Sequence, residues 1–240
     1  MGWPYTSAVE GSEQKAAGDP GVTGVAGQRP TQLVSLSLGL ALGALGALPA
    51  VLPGCDGFAL LVWIACLAAG AGALLGAAGV DPLRFGAVAP ALWAVALALV
   101  EGSQEQASLP SPAYGALAWT GFFFAGMAVG RCTGSGPTSA AALVLISVLL
   151  VGLPSRGGIA GEPWPPRAAS ALLDLSPYVF LGEASAVRDM AWHRSLYADV
   201  GTDRFQRSPW NSPWAGVGAL AMGLCCAWAA DRRRQRAQVR

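Results

Sequence analysis

The chain has 240 residues, of which 53% are apolar and only 12% charged, for a formal net charge of +1. A soluble domain needs charge on every surface element, whereas whole segments of about twenty residues here carry none, which excludes an ordinary water-soluble globule and points to an all-α, polytopic membrane protein. The five cysteines include no C-x-x-C pair, so they do not form the framework that a metal or redox centre requires.

Residues Met1–Pro30 are rich in Gly, Ala and Ser and have no apolar period, which predicts a mobile cytoplasmic tail over residues 1–31. Glu10, Glu13 and Asp19, with no short apolar core before a cleavage site, argue against a signal peptide. The first apolar segment, Leu33 to Leu52, is free of charge. As a helix it rises about 30 Å, the thickness of a hydrocarbon core. Its alternating Ser/Leu stretch from Ser35 to Leu42 has a strand-like period, but an isolated strand in lipid leaves its backbone groups unpaired, so helix is expected. Pro49 and Pro53 end or kink it.

A tight turn through Gly54–Gly57 leads to a second segment, Phe58 to Val80, stopped by Asp81–Arg84. The third, Phe85 to Val100, is short and contains Pro90; Glu101, Glu105 and a Pro/Ser stretch close it. The fourth, Ala113 to Gly130, stops at Arg131, and the fifth, Ala140 to Leu153, completes a five-helix membrane region over residues 32–153. From Pro154 to Ser212 acids, arginines, prolines and aromatic residues mix. Proline suits the first turn of a helix, so two short helices are expected there, one over Ala168 to Leu175 and one from Pro177 to about Met190. Leu172, Leu173, Phe180, Leu181 and Met190 would form their apolar faces, lying on the membrane surface or against the bundle. The last segment, Pro213 to Ala230, meets Asp231 and a run of arginines, and residues 213–240 form the sixth span and a basic tail.

Orientation follows from the arginines. With both ends inside, the inner side holds Lys15, Arg29, Arg84, Arg131 and the C-terminal run, while the two short outer turns hold Asp56, Glu101 and Glu105. That is the positive-inside pattern, counted over short loops. Six spans with cytoplasmic termini satisfy it.

The spans carry no ionisable residue away from their ends, where a charge would cost about 2.5–3.5 kcal/mol and mark a proton or ion path. Gly134-Ser135-Gly136 with His193 resembles a serine nucleophile and base, but a Gly-rich turn is the simpler reading, and the two would lie on opposite sides. Glu183/Asp189 and Asp199/Asp203 read as solvated loop charges near Arg188, Arg194 and Arg204. Cofactor, metal and catalytic residues are therefore not expected. Gly39-x-x-x-Gly43 with Gly46, and Gly72-x-x-x-Gly76 with Gly79, put small residues on one helix face and predict close packing. Trp63, Trp210, Trp214 and Trp228 suit interfacial anchoring. The terminal arginines read as a topological stop at the inner surface, not as a nucleic-acid site.

The fifth span ending LLVGLPSR, the stretch LLDLSPYVFLGEASAV and the final WAGVGALAMGLCCAWAADRRR together resemble the ABC-2 type permeases, the membrane subunits of one class of ATP-binding-cassette transporters. The "LSP" at Leu175, Ser176 and Pro177 looks like the turn that opens a helix before the last span in that family. The resemblance covers mainly residues 140–236; the chain departs from the pattern in its very short first outer turn and the lack of an elbow helix before span one. It implies six spans, a second membrane subunit and a separate ATP-binding subunit, which would touch the inner turn at Asp81, Pro82, Leu83, Arg84 and Phe85, and also Arg131 to Pro137. No Walker motif is present, since the one lysine, Lys15, is not in such a loop. The competing readings are a non-catalytic membrane anchor or scaffold subunit and, third, a membrane enzyme using the outer loop charges.

Overall fold

The computed structural model describes residues 28–81, 86–103, 111–152, 177–185 and 214–238. Among them are seven α-helices, one short 3-10 helix and no strand. The helices are α1 (Gln28–Ala47), α2 (Gly57–Ala77), α3 (Val88–Ser103), α4 (Pro112–Thr133), α5 (Gly136–Gly152), α6 (Pro177–Ala184) and α7 (Trp214–Gln238). Four stretches are long and apolar enough to cross a bilayer: 32–51, 57–77, 112–133 and 214–236. That is compatible with an integral membrane protein. The third and fifth expected spans are the shorter helices, α3 with 16 residues and α5 with 17.

Local chemistry sets the ends. α1 stops at Ala47, two residues before Pro49, and the chain passes through a 3-10 turn over Leu48–Val51. Asp56 caps α2, its carboxylate accepting from the Ala59 N–H at 2.6 Å. At the other end Gly79 takes φ +72°, and the Val80 N–H donates back to the Leu75 carbonyl at 3.1 Å, a closure that only a residue tolerant of left-handed backbone makes cheaply. Pro112 opens α4, and Gly134 at φ +66° closes it. α5 starts at Gly136, four residues before the expected Ala140, because the Gly134–Ser135 turn needs no longer connection. The Ser135 and Thr138 hydroxyls bond to each other there, so the Gly-Ser-Gly stretch is the joint between two helices.

α4 is the centre of the bundle, with α2 on one side and α7 on the other. Glycines bring the three backbones into contact. A Cβ on Gly72 would fall on the Phe123 carbonyl, one on Gly76 on the Met127 carbonyl, and in return Gly126 and Gly130 lie on the Ala69 and Ala73 carbonyls. Gly121 meets the Ala219 carbonyl of α7, Gly223 meets that of Gly121, and Gly216 meets that of Tyr114. Numbering rises together in every one of these pairs, so α2, α4 and α7 run in the same direction. α5 runs against α2, with Gly136 beside Ala77 and Gly70 beside Ala140 and Val144.

α1 and α3 pair with each other at the edge of this core. Trp93 of α3 is fully buried, and its indole N–H is shared between the Leu42 and Gly43 carbonyls of α1 at 3.2 and 3.1 Å. The ring meets Phe123 of α4 edge-on at 5.9 Å, which joins the pair to the centre. Trp63 of α2 also reaches α1, donating to the Leu45 carbonyl at 3.3 Å.

Replacing Gly126 with Leu should force α2 and α4 apart. Overpacking of a tight contact costs about 1–3 kcal/mol, so a lowered midpoint in a detergent thermal melt is expected. Gly218 has open space where its Cβ would go, and Gly218→Leu should leave the melt almost unchanged. Equal melts for the two variants would contradict the close-packed core.

Candidate functional site

At the C-terminal end of α7, the stripe of small residues on that helix ends in a charge. Ala219, Gly223 and Ala227 are buried at four-residue steps, and the next step is Asp231. On α4 the face that carries Gly121, Phe124 and Ala128 reaches Arg131 in the same way. Their meeting follows from the register of the two helices: Arg131 Nη1 donates to Asp231 Oδ1 at 3.2 Å. Arg131 Nη2 donates to the Val80 carbonyl at 2.8 Å, just past the end of α2. The arginine side chain is only 3% exposed, the aspartate side chain 44%. Gln235 donates to the other carboxylate oxygen at 3.1 Å. Arg131 thus ties the C-terminal ends of α2, α4 and α7 together. Its Nε is buried without a hydrogen-bond partner, so the guanidinium depends on those two contacts.

The expected partner-contact turn begins at this knot. Asp81 follows Val80, and its carbonyl accepts from the Gly86 N–H at 2.9 Å, the residues between being Pro82, Leu83, Arg84 and Phe85. Those four residues lie outside the described ones. The second expected contact, Arg131 to Pro137, begins at the residue that bonds to the Val80 carbonyl. Nearby, the Arg234 guanidinium lies against Gly79, and Arg232 stacks 4.2 Å over the ring of Trp228. An aromatic residue and exposed arginines at one helix end suit a headgroup layer.

At the opposite end of the bundle, α6 is seated on α2 and α4. Leu181, Ala184 and Ser185 are fully buried. Phe180 is half-buried, its ring 5.6 Å from that of Phe122, about halfway along α4. The Ser111 N–H donates to the Ser185 carbonyl at 3.0 Å, fastening the end of α6 to the start of α4. Phe180 meets the middle of α4 and Ser185 its start, so α6 runs antiparallel alongside the N-terminal half of α4. Leu172, Leu173 and Met190, and the first short helix expected over Ala168–Leu175, lie outside the described residues, as do His193 and the acidic pairs of that segment apart from the backbone of Glu183.

Sequence reasoning placed Arg131 at a helix end and read it as an interfacial stop, and it did not pair it with Asp231. The four-residue steps on α7 and the 121–124–128–131 spacing on α4 were the available signal. Trp93 was also missed, since a lone Trp in an apolar segment does not announce which carbonyl it will reach. No protein-family model matches the chain, and no curated protein or solved structure matches it either.

The two members of the ion pair should not respond alike. Asp231→Ala strands a buried guanidinium and should cost about 2–3 kcal/mol, below the value for a fully buried pair because the carboxylate is half in water. Arg131→Met removes the charge and keeps the packing, so it should cost less. The double variant should then be more stable than Asp231→Ala alone in chemical or thermal unfolding. A double variant less stable than either single one would contradict a desolvated arginine.

Proposed function

We propose that the chain is the membrane-spanning permease subunit of an ABC-type, ABC-2-like transporter. It would sit in a bacterial inner membrane with both termini cytoplasmic, beside a second membrane subunit. A separate ATP-binding subunit would supply the energy. The observation that supports this reading best is α6, a short helix between α5 and α7 packed into the outer half of the bundle with Leu181 and Ala184 at its core. A segment built in this way between the last two spans is what the ABC-2 resemblance implies.

The topology rests on direction and charge. Since α2, α4 and α7 run in parallel, the chain must return between them; α3 and α5 supply those returns, and α1 precedes α2 through a tight turn. That alternation supports a reading with six crossings. α3 and α5 rise about 24 and 26 Å at 1.5 Å per residue, a few ångströms less than a typical hydrocarbon core, which local thinning of the bilayer accommodates. The inner end then carries Arg131 and the exposed Arg232, Arg233, Arg234 and Arg236, in agreement with the positive-inside rule. The turn at Asp81–Phe85 offers Arg84 to an acidic groove on the ATPase, and Arg131 holds the near end of that turn in place. A static anchor is the second reading, favoured by the glycine-packed core, which leaves α2, α4 and α7 little freedom to slide.

Two measurements test this. In otherwise cysteine-free variants, a membrane-impermeant maleimide should label Cys55 from outside and Cys132 only after permeabilisation. Burial and the neighbouring Asp56 carboxylate both push the Cys55 thiol up, so its labelling should quicken as pH rises and should be faster in Asp56→Asn, in which Asn still caps α2. Outside labelling of Cys132 would contradict the topology. For the partner, the chain should bring down an ATPase in mild detergent, and Arg84→Glu should weaken that capture without reducing the amount of chain in the membrane. Capture of other membrane proteins with no ATPase would favour the anchor.

A further inference from the structure

An apolar cavity of about 420 Å³ lies among α1, α2 and α5, with Trp93 of α3 in its wall. That volume falls within the range of sites for small molecules, about 300–1,000 Å³. Leu42 and Leu45 line it from α1, Leu67 and Leu74 from α2, and Ala141 and Val144 from α5. No polar side-chain atom is on offer, because the Trp93 N–H is already spent on the Leu42 and Gly43 carbonyls. Water would lack the two to four partners it needs there, and a polar ligand would lose its hydration with nothing in exchange. An empty cavity, on the other hand, forfeits dispersion contacts along its whole wall. The occupant must therefore be hydrocarbon.

Its source follows from where the cavity opens. α1 and α5 scarcely touch each other, so among the described residues no contact between these two helices seals the cleft. Leu45 and Leu145, at its edges, are 47% and 59% exposed. The α5 surface continues outward through Ile146 and Leu149, exposed as well. The cavity is thus continuous with the apolar flank of the bundle, which in a bilayer is bathed in lipid tails. We propose that it seats one acyl chain of a bilayer lipid, which enters sideways between α1 and α5 while its headgroup stays at the membrane surface. This rests on the membrane-spanning reading and is independent of the ATPase.

The test uses the full chain in nanodiscs of phosphatidylcholine doped with a phosphatidylcholine that carries a diazirine midway along one acyl chain. After irradiation, mass spectrometry maps the adducts. Met222 on α7, which is exposed and does not line the cavity, reports contact with bulk lipid. Adducts are expected at Met222 and also at Leu67, Ala71 or Leu74 inside the cavity. Ala141→Trp, which fills the space, should lower the cavity adducts several-fold and leave Met222 unchanged; Val144→Phe gives the same direction if the first variant does not accumulate. Adducts at Met222 with none in the cavity would overturn the proposal, as would cavity adducts insensitive to both fillings. A cysteine placed at Ala141 that cross-links two copies of the chain would put a second subunit there and overturn it also. Absence of adducts even at Met222 would bring down the membrane reading, and this proposal with it.

Discussion

Close approach of α4 to both α2 and α7 is the constraint on which the rest of this structure depends. Lipid tails are as apolar as leucine, so burying leucine between helices in a bilayer gains little; helices associate where their backbones can come near enough for dense van der Waals contact. Gly72, Gly76, Gly126 and Gly130 permit that between α2 and α4, and Gly121, Gly216 and Gly223 between α4 and α7. Each of these glycines lies on a carbonyl of the facing helix, where any side chain would collide with backbone. Because the contact fixes both distance and register, it also decides which residues meet beyond the glycines.

The C-terminal ends of these helices show what that register does. Arg131 and Asp231 face each other because both continue small-residue stripes, and the same register aims the arginine at the Val80 carbonyl. A charge held this far from water is costly without partners, so the pair makes the relative position of α4 and α7 more specific than packing alone would. The consequence reaches the chain just past α2, where the Val80 carbonyl is anchored by Arg131. At the opposite end α6 fills the corresponding place beside α4, with Leu181 buried and Ser185 tied to Ser111. The centre of the bundle is thus held at both ends by different chemistry.

Helix existence was legible in the residues because charge is absent from the apolar segments, a signal that needs no knowledge of neighbours. The shortness of the third and fifth segments was legible as well, and α3 and α5 have it. Helix ends moved by a few residues where turn chemistry intervened, as at Ala47 before Pro49 and at Gly136 after the left-handed Gly134. The Gly72–Gly76 pair could be recognised as a packing face, but its partner face, Gly126 and Gly130, was not singled out: in a chain with 32 glycines, a four-residue spacing recurs, and only the facing helix selects which recurrences matter. Arg131 escaped for the same reason. A residue at the end of an apolar run looks like a stop until the opposing aspartate is known, and that aspartate lies 100 positions away.

The outward surface completes this picture. α7 buries one narrow stripe against α4 and leaves Met222, Leu224 and Trp228 outside, an arrangement that water would not tolerate over so long a helix but lipid would. The most direct test is a nitroxide scan across residues 214–231 in liposomes, reading collisions with oxygen, which concentrates in the bilayer, against a water-soluble nickel relaxant. Oxygen accessibility should be low at Ala219, Gly223, Ala227 and Ala230 and high at Met222, Leu224 and Cys225, with the nickel reagent excluded from all of them. A flat profile, or nickel access at Met222, would contradict a lipid-embedded helix packed through its small residues on α4.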